Sequence, residues 1–573
     1  MSDRNDVITN FLQRHGWGQA ARKPLADDAS FRRYERLTRA GEKAILMDAP
    51  PEFEDVRPFV AIARHLQKYG LAAPEIYAED MENGFLLLED MGDALFAAAI
   101  AADPAQEEPL YGLALDGLVH LHKAPLPDNV PPYDEALLLT ELALFVDWYM
   151  PSLDGKILSA ADRDGFLKIW QDILPPVTGG PACLTLRDYH AENLILRDGQ
   201  TGLARLGLLD FQDAVIGHPA YDLVSLLQDA RRDVSPALEQ DMLDRYIGET
   251  EQNSQDFRCA YAILGAQRNA KIIGIFTRLY LRDGKASYLD KIPRVWTLLE
   301  KDLAHPALAP IKQWIDRHIP PETRTGSFTP KRFMPQKAMI LAAGLGQRMR
   351  PLSAACPKPL ITVAGKALLS YSLDGLCAAG VRDVVVNIHY LADQMTEYTR
   401  RYYDHRPTIT LSDERAALMD SGGGVKKALP LLGEGAFLLL NSDMIWRDGP
   451  RPMLHRMQAA WRPEDMDILM LLIPRDGAFG FDGAGDYHRA DDGQLRARGA
   501  DSTADYIYGG ILMMTDKSFD HTPNGPFSLR MQFDRAEKKG RLYGIIHDGD
   551  WYHVGTPDAR DALEEIFTTC RGD

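Results

Sequence analysis

Between Ala304 and Lys337 the chain carries prolines at positions 306, 310, 320, 321, 330 and 335 and the polar run Glu322-Thr323-Arg324-Thr325-Gly326-Ser327. A proline has no N–H to give to a helix or a ladder and holds φ fixed, so neither element runs easily through such a stretch. The sequence therefore divides there. Residues 1–319 and 336–573 are expected to fold as separate domains, with 320–335 as an exposed connection and Ile311 to His318 as a last helix packed on the first domain. Either half is long enough to bury a core of its own.

The two halves are patterned differently. Upstream, short strand-like runs surround one helix in which Phe59, Ile62, Ala63 and Leu66 recur at helical spacing, with Gly70 to cap it and Pro74 beyond. This block, residues 1–92, reads as a small α+β lobe, and residues 93–319 read as a mostly helical one. Downstream, the apolar runs Met339 to Leu341, Val384 to Val386 and Phe437 to Leu440 alternate with helical segments such as Leu368 to Ala379, which predicts a layered α/β domain.

Charge and composition narrow the function. A formal net charge of −18 repels nucleic acid and anionic membranes, and no basic stripe offsets it. The longest apolar run, Leu95 to Ala102, is too short to span a bilayer, and the polar start Met1-Ser2-Asp3-Arg4-Asn5-Asp6 does not read as a secretory leader. Cysteines at 183, 259, 356, 377 and 570 form neither a Cys-x-x-Cys pair nor a metal-ligand spacing. A cytoplasmic enzyme acting on small molecules is the expected class, with no nucleic-acid, membrane or obligate protein partner indicated.

In the first half, chemistry concentrates in Leu186-Arg187-Asp188-Tyr189-His190-Ala191-Glu192-Asn193. Strand-like Leu194-Ile195-Leu196, a turn at Asp198-Gly199 and Leu206-Gly207-Leu208-Leu209-Asp210-Phe211 follow it. Phosphoryl transfer needs a carboxylate near the accepting hydroxyl and oxygen ligands for magnesium on the nucleotide phosphates. Asp188 is the candidate catalytic carboxylate, and Asn193 and Asp210 are the candidate metal ligands, because the hairpin returns Asp210 to the end of the sheet that carries the loop. The pattern resembles the catalytic loop and metal-binding aspartate of the protein-kinase and aminoglycoside-phosphotransferase superfamily. That resemblance implies a bilobal α+β protein-kinase-like domain using ATP with Mg2+.

Other segments extend the resemblance. Phe85-Leu86-Leu87-Leu88-Glu89-Asp90-Met91-Gly92 resembles the hinge strand whose backbone groups bind adenine, which makes Glu89 a nucleotide candidate. Asp28-Ala29-Ser30-Phe31-Arg32-Arg33-Tyr34 sits where kinases carry a phosphate-covering loop, with Ser30 and Arg32 as candidate contacts. His218-Pro219-Ala220-Tyr221-Asp222-Leu223 resembles the segment whose aspartate, here Asp222, braces the catalytic loop. One position departs: the phosphate-pairing lysine of the third strand would fall near Met47, leaving Arg32, Arg33 or Lys43 to replace it. Together with Met47-Asp48-Ala49-Pro50-Pro51, these motifs are similar to the anomeric kinases of N-acetylmuramate and N-acetylglucosamine used in cell-wall recycling, over about residues 5 to 320. His120, His122 and His190 are assigned no role.

In the second half, the strand Met339-Ile340-Leu341 runs into Ala342-Ala343-Gly344-Leu345-Gly346-Gln347-Arg348-Met349-Arg350-Pro351-Leu352, and Cys356-Pro357-Lys358-Pro359-Leu360 follows. Glycines let backbone N–H groups approach the oxygens of a triphosphate, and Arg348 and Lys358 add positive charge. A dinucleotide-binding turn would instead carry a third glycine opening a helix. The pattern resembles sugar-1-phosphate nucleotidyltransferases over about residues 336 to 568. It implies a Rossmann-like α/β domain in which Gly344 and Gly346 bind nucleotide, Arg348 and Lys358 act on the reacting phosphates, Asp443 holds the metal and Gly422, Gly423 and Gly424 admit the base. The segment Trp551-Tyr552-His553-Val554-Gly555 departs from it, since His553 stands where relatives commonly carry a second metal-binding aspartate; Asp550 is a nearby substitute. No Glu-Lys-Pro segment grips the sugar phosphate, so Arg496 or Arg498 is the candidate for that task.

Asp413-Glu414-Arg415 followed by Ser421-Gly422-Gly423-Gly424-Val425-Lys426-Lys427 is similar to uridylyltransferases acting on N-acetylmuramate 1-phosphate. The two resemblances agree: the first half would make from an amino sugar what the second couples to UTP. Two rivals remain at this stage. One is a choline kinase joined to a phosphocholine cytidylyltransferase, and the other is an inactive kinase-like module regulating the second half.

Overall fold

The computed structural model describes residues 4–25, 32–51, 54–326, 328–402 and 407–569. The chain packs as two compact units. Met1–Phe145, Ala161–Gly274 and Asp290–Phe328 form the first, and Val146–Ala160, Ile275–Leu289 and Thr329–Asp573 form the second. The break after Phe328 falls inside the expected connection, but that connection is not exposed throughout. Arg324 is 2% exposed, with its guanidinium on Glu300 at 2.5 Å, Asp316 at 2.7 Å and the Ile319 carbonyl at 2.6 Å. A buried guanidinium that satisfies three acceptors folds residues 319–324 back onto helix Ala309–His318. In the second unit Phe333 is buried against the rings of Trp148 and His455.

The first unit opens with a five-stranded antiparallel sheet in the order Ala21–Pro24, Arg33–Arg39, Glu42–Asp48, Phe85–Glu89, Ile76–Asp80. Alternation along the strands turns Leu37, Ala44, Leu46, Phe85 and Leu87 toward Phe11 and Leu12 of helix Arg4–Arg14. Helix Arg57–Lys68 buries Phe59, Ile62, Ala63 and Leu66, as their spacing predicts, together with Val60. It ends at Gly70, whose φ of 79° lets the Leu71 N–H reach the Leu66 carbonyl.

The rest of the unit is mostly helical, with two short antiparallel pairs, Cys183–Thr185 with Val215–Gly217 and Leu194–Leu196 with Leu206–Leu208. Among the described residues one helical stretch, Glu135–Asp154, is long and apolar enough by length and composition to cross a membrane. Its Glu141 is buried and paired with Arg187 and with Lys271, the latter at 2.8 Å, which is the behaviour of a core helix.

The second unit is built on a sheet in the order Thr408–Asp413, Asp383–Ile388, Lys337–Leu341, Ala436–Asn441, Tyr506–Thr515, Ile468–Pro474, Leu542–Ile546. The first four strands are parallel, and Tyr506–Thr515 runs antiparallel between its neighbours. From Lys337–Leu341 the chain goes to one side of the sheet and later returns on the other as Ala436–Asn441. The loops after Leu341 and Asn441 therefore diverge and leave a crevice at the strand ends. A separate antiparallel pair sets Met444–Trp446 against Trp551–His553, with Met444 opposite His553.

Both faces of this sheet are covered, which is why its strands are continuous apolar runs. Leu439 is fully buried in the cluster that includes Met339, Met470 and Leu512. Leu439→Ala is expected to destabilise the second unit by about 2–5 kcal/mol, measured as a lowered denaturant midpoint for tryptophan fluorescence.

Candidate active sites

Leu194 pairs with Leu208, and the Leu209 N–H donates to the Asn193 carbonyl at 3.0 Å, so Asn193 and Asp210 emerge together at the open end of the hairpin. Asn193 Nδ2 donates to the Asp188 carbonyl at 2.9 Å and lies 3.4 Å from Asp210 Oδ2. One amide thus links the three residues singled out in the sequence. Asp210 holds a φ of 56°, a conformation that a non-glycine residue keeps only where its surroundings fix it. Gln212 Nε2 donates to its Oδ1 at 2.7 Å. Asp222 is fully buried and accepts the Leu186 and Arg187 N–H groups at 2.7 and 2.8 Å, bracing the loop that carries Asp188.

The Asp188 side chain is 47% exposed on one side, and Arg268 Nη2 stands 3.6 Å from its carboxylate. Burial on the remaining sides would raise its pKa, but the cations Arg268, Lys271 and Arg187 outweigh that and hold the carboxyl below the usual range. Asp188 is therefore ionised at neutral pH and can accept a proton. His190 receives Arg231 Nη1 at 3.1 Å on Nε2, and burial with Arg231 pushes it down to about 3, so it stays neutral as a spacer between Arg231 and Asn193.

Where a third-strand lysine was expected, Met47 is 1% exposed and packs between Tyr34 and Leu86 of the neighbouring strands. Lys43 is exposed at the far end of its strand, opposite Thr38. Arg32 is the cation beside the site, with Nη2 on Glu54 at 3.0 Å and Nη1 4.0 Å from Asp210. Ser30 lies outside the described residues. Glu89 ends the hinge-like strand, where the expected adenine contact is through backbone groups, and its side chain is engaged elsewhere. Its Oε1 accepts Arg197 Nη2 at 2.6 Å, its Oε2 accepts the Glu75 N–H at 3.2 Å, and its own N–H donates to the Glu75 carbonyl. Its carboxylate ties the hinge to Arg197, the residue that follows Leu196.

In the second unit a crevice of about 590 Å³ is lined by Gly344, Gly346, Arg348, Lys358, Glu414 and Asp443, among others. The Ala342 and Ala343 N–H groups donate to Asn387 Oδ1 at 2.7 and 3.3 Å, and Asn387 Nδ2 donates to the buried Glu414 at 2.8 Å. Gly346 supplies a φ of 61°. Lys358 Nζ donates to Asp443 Oδ2 at 2.7 Å, and His553 Nε2 lies 3.5 Å from the same oxygen. Burial would raise the Asp443 pKa, but His553 and Lys358 hold the carboxyl well below the usual range.

The first unit matches the phosphotransferase enzyme family over residues 21–258, and the second matches the nucleotidyl transferase family over residues 337–481. An N-acetylmuramate/N-acetylglucosamine kinase of Caulobacter vibrioides is 41% identical over 364 residues, covering 56% of this chain and 99% of that protein. An N-acetylmuramate alpha-1-phosphate uridylyltransferase of the same organism is 41% identical over 232 residues, covering 40% of this chain and 96% of that protein. The chain belongs to both families. It is a bifunctional enzyme, a kinase followed by a nucleotidyltransferase. An N-acetylmuramate/N-acetylglucosamine kinase of Pseudomonas aeruginosa, 36% identical over 316 residues, covers 53% of the chain and 91% of its own length.

Three expectations for the nucleotidyltransferase half do not hold. Gly422, Gly423 and Gly424 form no loop: they are buried in the first turn of helix Asp420–Leu432. The Gly422 and Gly423 N–H groups both donate to the Phe527 carbonyl, and a Cβ on Gly424 would come within 2.8 Å of Glu414. These glycines allow close packing, and Leu418, Asp420 and Ser421 line the crevice there instead. Asp550 is not beside Asp443. The pairing of Trp446 with Trp551 puts it opposite Arg447, whose N–H it accepts at 2.9 Å. Arg496 pairs with Asp501 at 2.9 Å and Arg498 donates to the Gly485 and Asp501 carbonyls, so neither lines the crevice.

The donor sets differ between the halves. Asn193 and Asp210 offer an amide and a carboxylate oxygen, which fits magnesium. Asp443 and His553 offer one oxygen and one nitrogen.

Two substitutions test the kinase geometry. Asp222→Ala leaves two buried N–H groups without their acceptor, and should cost about 3 kcal/mol of stability and lower kcat with little change in the KM for ATP. Arg32→Ala should raise the KM for ATP about tenfold, with Arg32→Lys recovering part of it; steady-state kinetics read both.

Proposed function

We propose that the chain recycles cell-wall amino sugars in the cytoplasm, first phosphorylating N-acetylmuramate or N-acetylglucosamine at the anomeric hydroxyl with ATP and then coupling N-acetylmuramate 1-phosphate to UTP. The observation that carries this reading is the presence, in one chain, of the Asn193-linked set of Asp188 and Asp210 and of a separate crevice where Arg348, Lys358 and Asp443 converge. The named relatives of the two halves act, respectively, on the substrate and on the product of the first step of such a sequence.

In the kinase half, Asp188 accepts the proton of the sugar hydroxyl as its oxygen bonds to the γ-phosphorus and the bond to the departing ADP breaks. The positive groups around Asp188 keep it ionised and can also receive an acidic sugar. Arg32 neutralises phosphate charge. Magnesium held by Asn193 and Asp210 would supply further charge on the phosphate oxygens. In the second half, a phosphate oxygen of the sugar phosphate bonds to the α-phosphorus of UTP and pyrophosphate leaves. Arg348 stabilises the leaving group, and Lys358 offsets the charge that builds on the reacting phosphates. The braced N–H groups after Leu341 hold the triphosphate side of the crevice in shape.

Substitutions divide the labour. Asp188→Asn should abolish sugar phosphorylation and spare nucleotide transfer from supplied sugar 1-phosphate, while Asp443→Asn should do the reverse. Products from ATP, UTP and a panel of amino sugars are read by mass spectrometry. Loss of both activities from either folded variant sinks the two-site reading.

A further inference from the structure

We propose that His553 is itself a cation ligand, so that Asp443 and His553 form a mixed oxygen and nitrogen site that selects a divalent ion such as Mn2+ over Mg2+. The proposal rests on reading this half as a nucleotidyltransferase and goes beyond it by naming the ion class.

The ring's orientation is the first support. His553 Nδ1 lies 3.2 Å from the Gly480 carbonyl, an oxygen that can only accept, so in the neutral ring, the form that ligates a metal, Nδ1 carries the proton. Nε2 is the other nitrogen, and it faces Asp443 Oδ2 at 3.5 Å. An imidazole that gives its outer N–H to a backbone carbonyl is oriented in the manner of a metal-binding histidine.

The surroundings hold that orientation. The His553 N–H donates to the Phe479 carbonyl at 3.1 Å, pinning the 479–480 turn to the strand. The Trp551 ring lies nearly parallel to the imidazole, with centroids 6.0 Å apart and planes at 14°. Gly555 leaves the space that the ring fills: a Cβ there would fall 2.5 Å from Cε1 and 3.0 Å from Nε2. A residue kept only to fill the end of a strand needs no such accommodation.

The spacing is that of two ligands of one ion. Donors about 2.1 Å from a shared ion and 3.5 Å from each other subtend roughly 113° at that ion, an angle open to four- to six-coordinate ions with some flexibility. Imidazole is a good ligand for Mn2+, Co2+ and Zn2+, whereas Mg2+ keeps to oxygen donors and near-ideal octahedral angles. The Asn193 and Asp210 pair in the kinase half is all oxygen and carries no such bias.

The test reads binding without turnover. Full-length protein with substoichiometric Mn2+ and UTP, without sugar phosphate, is examined by electron spin echo envelope modulation. A ligating imidazole gives a 14N modulation that converts to the 15N pattern in protein labelled with [15N]histidine and disappears in His553→Asp. Competition should show Mn2+ favoured over Mg2+ at least about tenfold more in the parent than in His553→Asp. Mn2+ that depends on Asp443 but shows no nitrogen modulation in the parent protein overturns the proposal, as does an unchanged preference in His553→Asp. Either result leaves UDP-sugar formation intact, whereas failure of the functional reading would appear as no UDP-sugar with any ion.

Discussion

Both sites sit at the ends of strands, where backbone N–H groups run out of ladder partners and a loop has no shape of its own. In each unit a buried side chain takes over the missing partnership. Asp222 receives the Leu186 and Arg187 N–H groups on its two oxygens, and Asn387 receives those of Ala342 and Ala343 on one. Neither residue faces solvent, and an unsatisfied buried acceptor in such a place would be costly, so each brace fixes its loop in one arrangement. Asp188, Asn193, Gly344 and Gly346 are held in place by contacts made behind them.

The halves solve a shared electrostatic problem, holding a triphosphate, by bringing cations from distant segments to a carboxylate. The kinase half surrounds its carboxylates with cations from distant elements: Arg268 from helix Ser254–Asp283, Arg32 from beside strand Arg33–Arg39, and Lys271 through Glu141. The nucleotidyltransferase half also draws its charge from separate segments, with Lys358 and His553 against Asp443 and Arg348 exposed on the crevice rim. In both halves the arrangement depends on the whole unit being folded.

What the sequence disclosed follows the range of the interactions involved. Asp188 and Asn193 share a short loop and Asp210 is one hairpin away, so their convergence was legible from spacing, while the brace at Asp222 came from the family resemblance alone. Gly344, Gly346, Arg348 and Lys358 are equally local, and they line the crevice as read. The errors come from residues whose meaning depends on partners far along the chain. Gly422 to Gly424 carry the composition of a flexible loop, but Phe527 and Glu414 turn them into the close-packed start of a helix. Arg324 reads as part of a polar linker until Glu300 and Asp316 bury it. Asn387 and Arg268 gave no signal, because one polar residue in an apolar strand or a long helix has no local pattern to break.

The ion pair between Lys358 and Asp443 has a thermodynamic corollary. A lone divalent ion approaching Asp443 meets an ammonium already seated on Oδ2, and a lone triphosphate approaching Lys358 must compete with a carboxylate. Each ligand, once bound, draws away the group that obstructs the other, so their affinities are coupled and each tightens the other by an equal factor. On the roles proposed for Asp443 and Lys358, the crevice would take up the chelate in preference to either component.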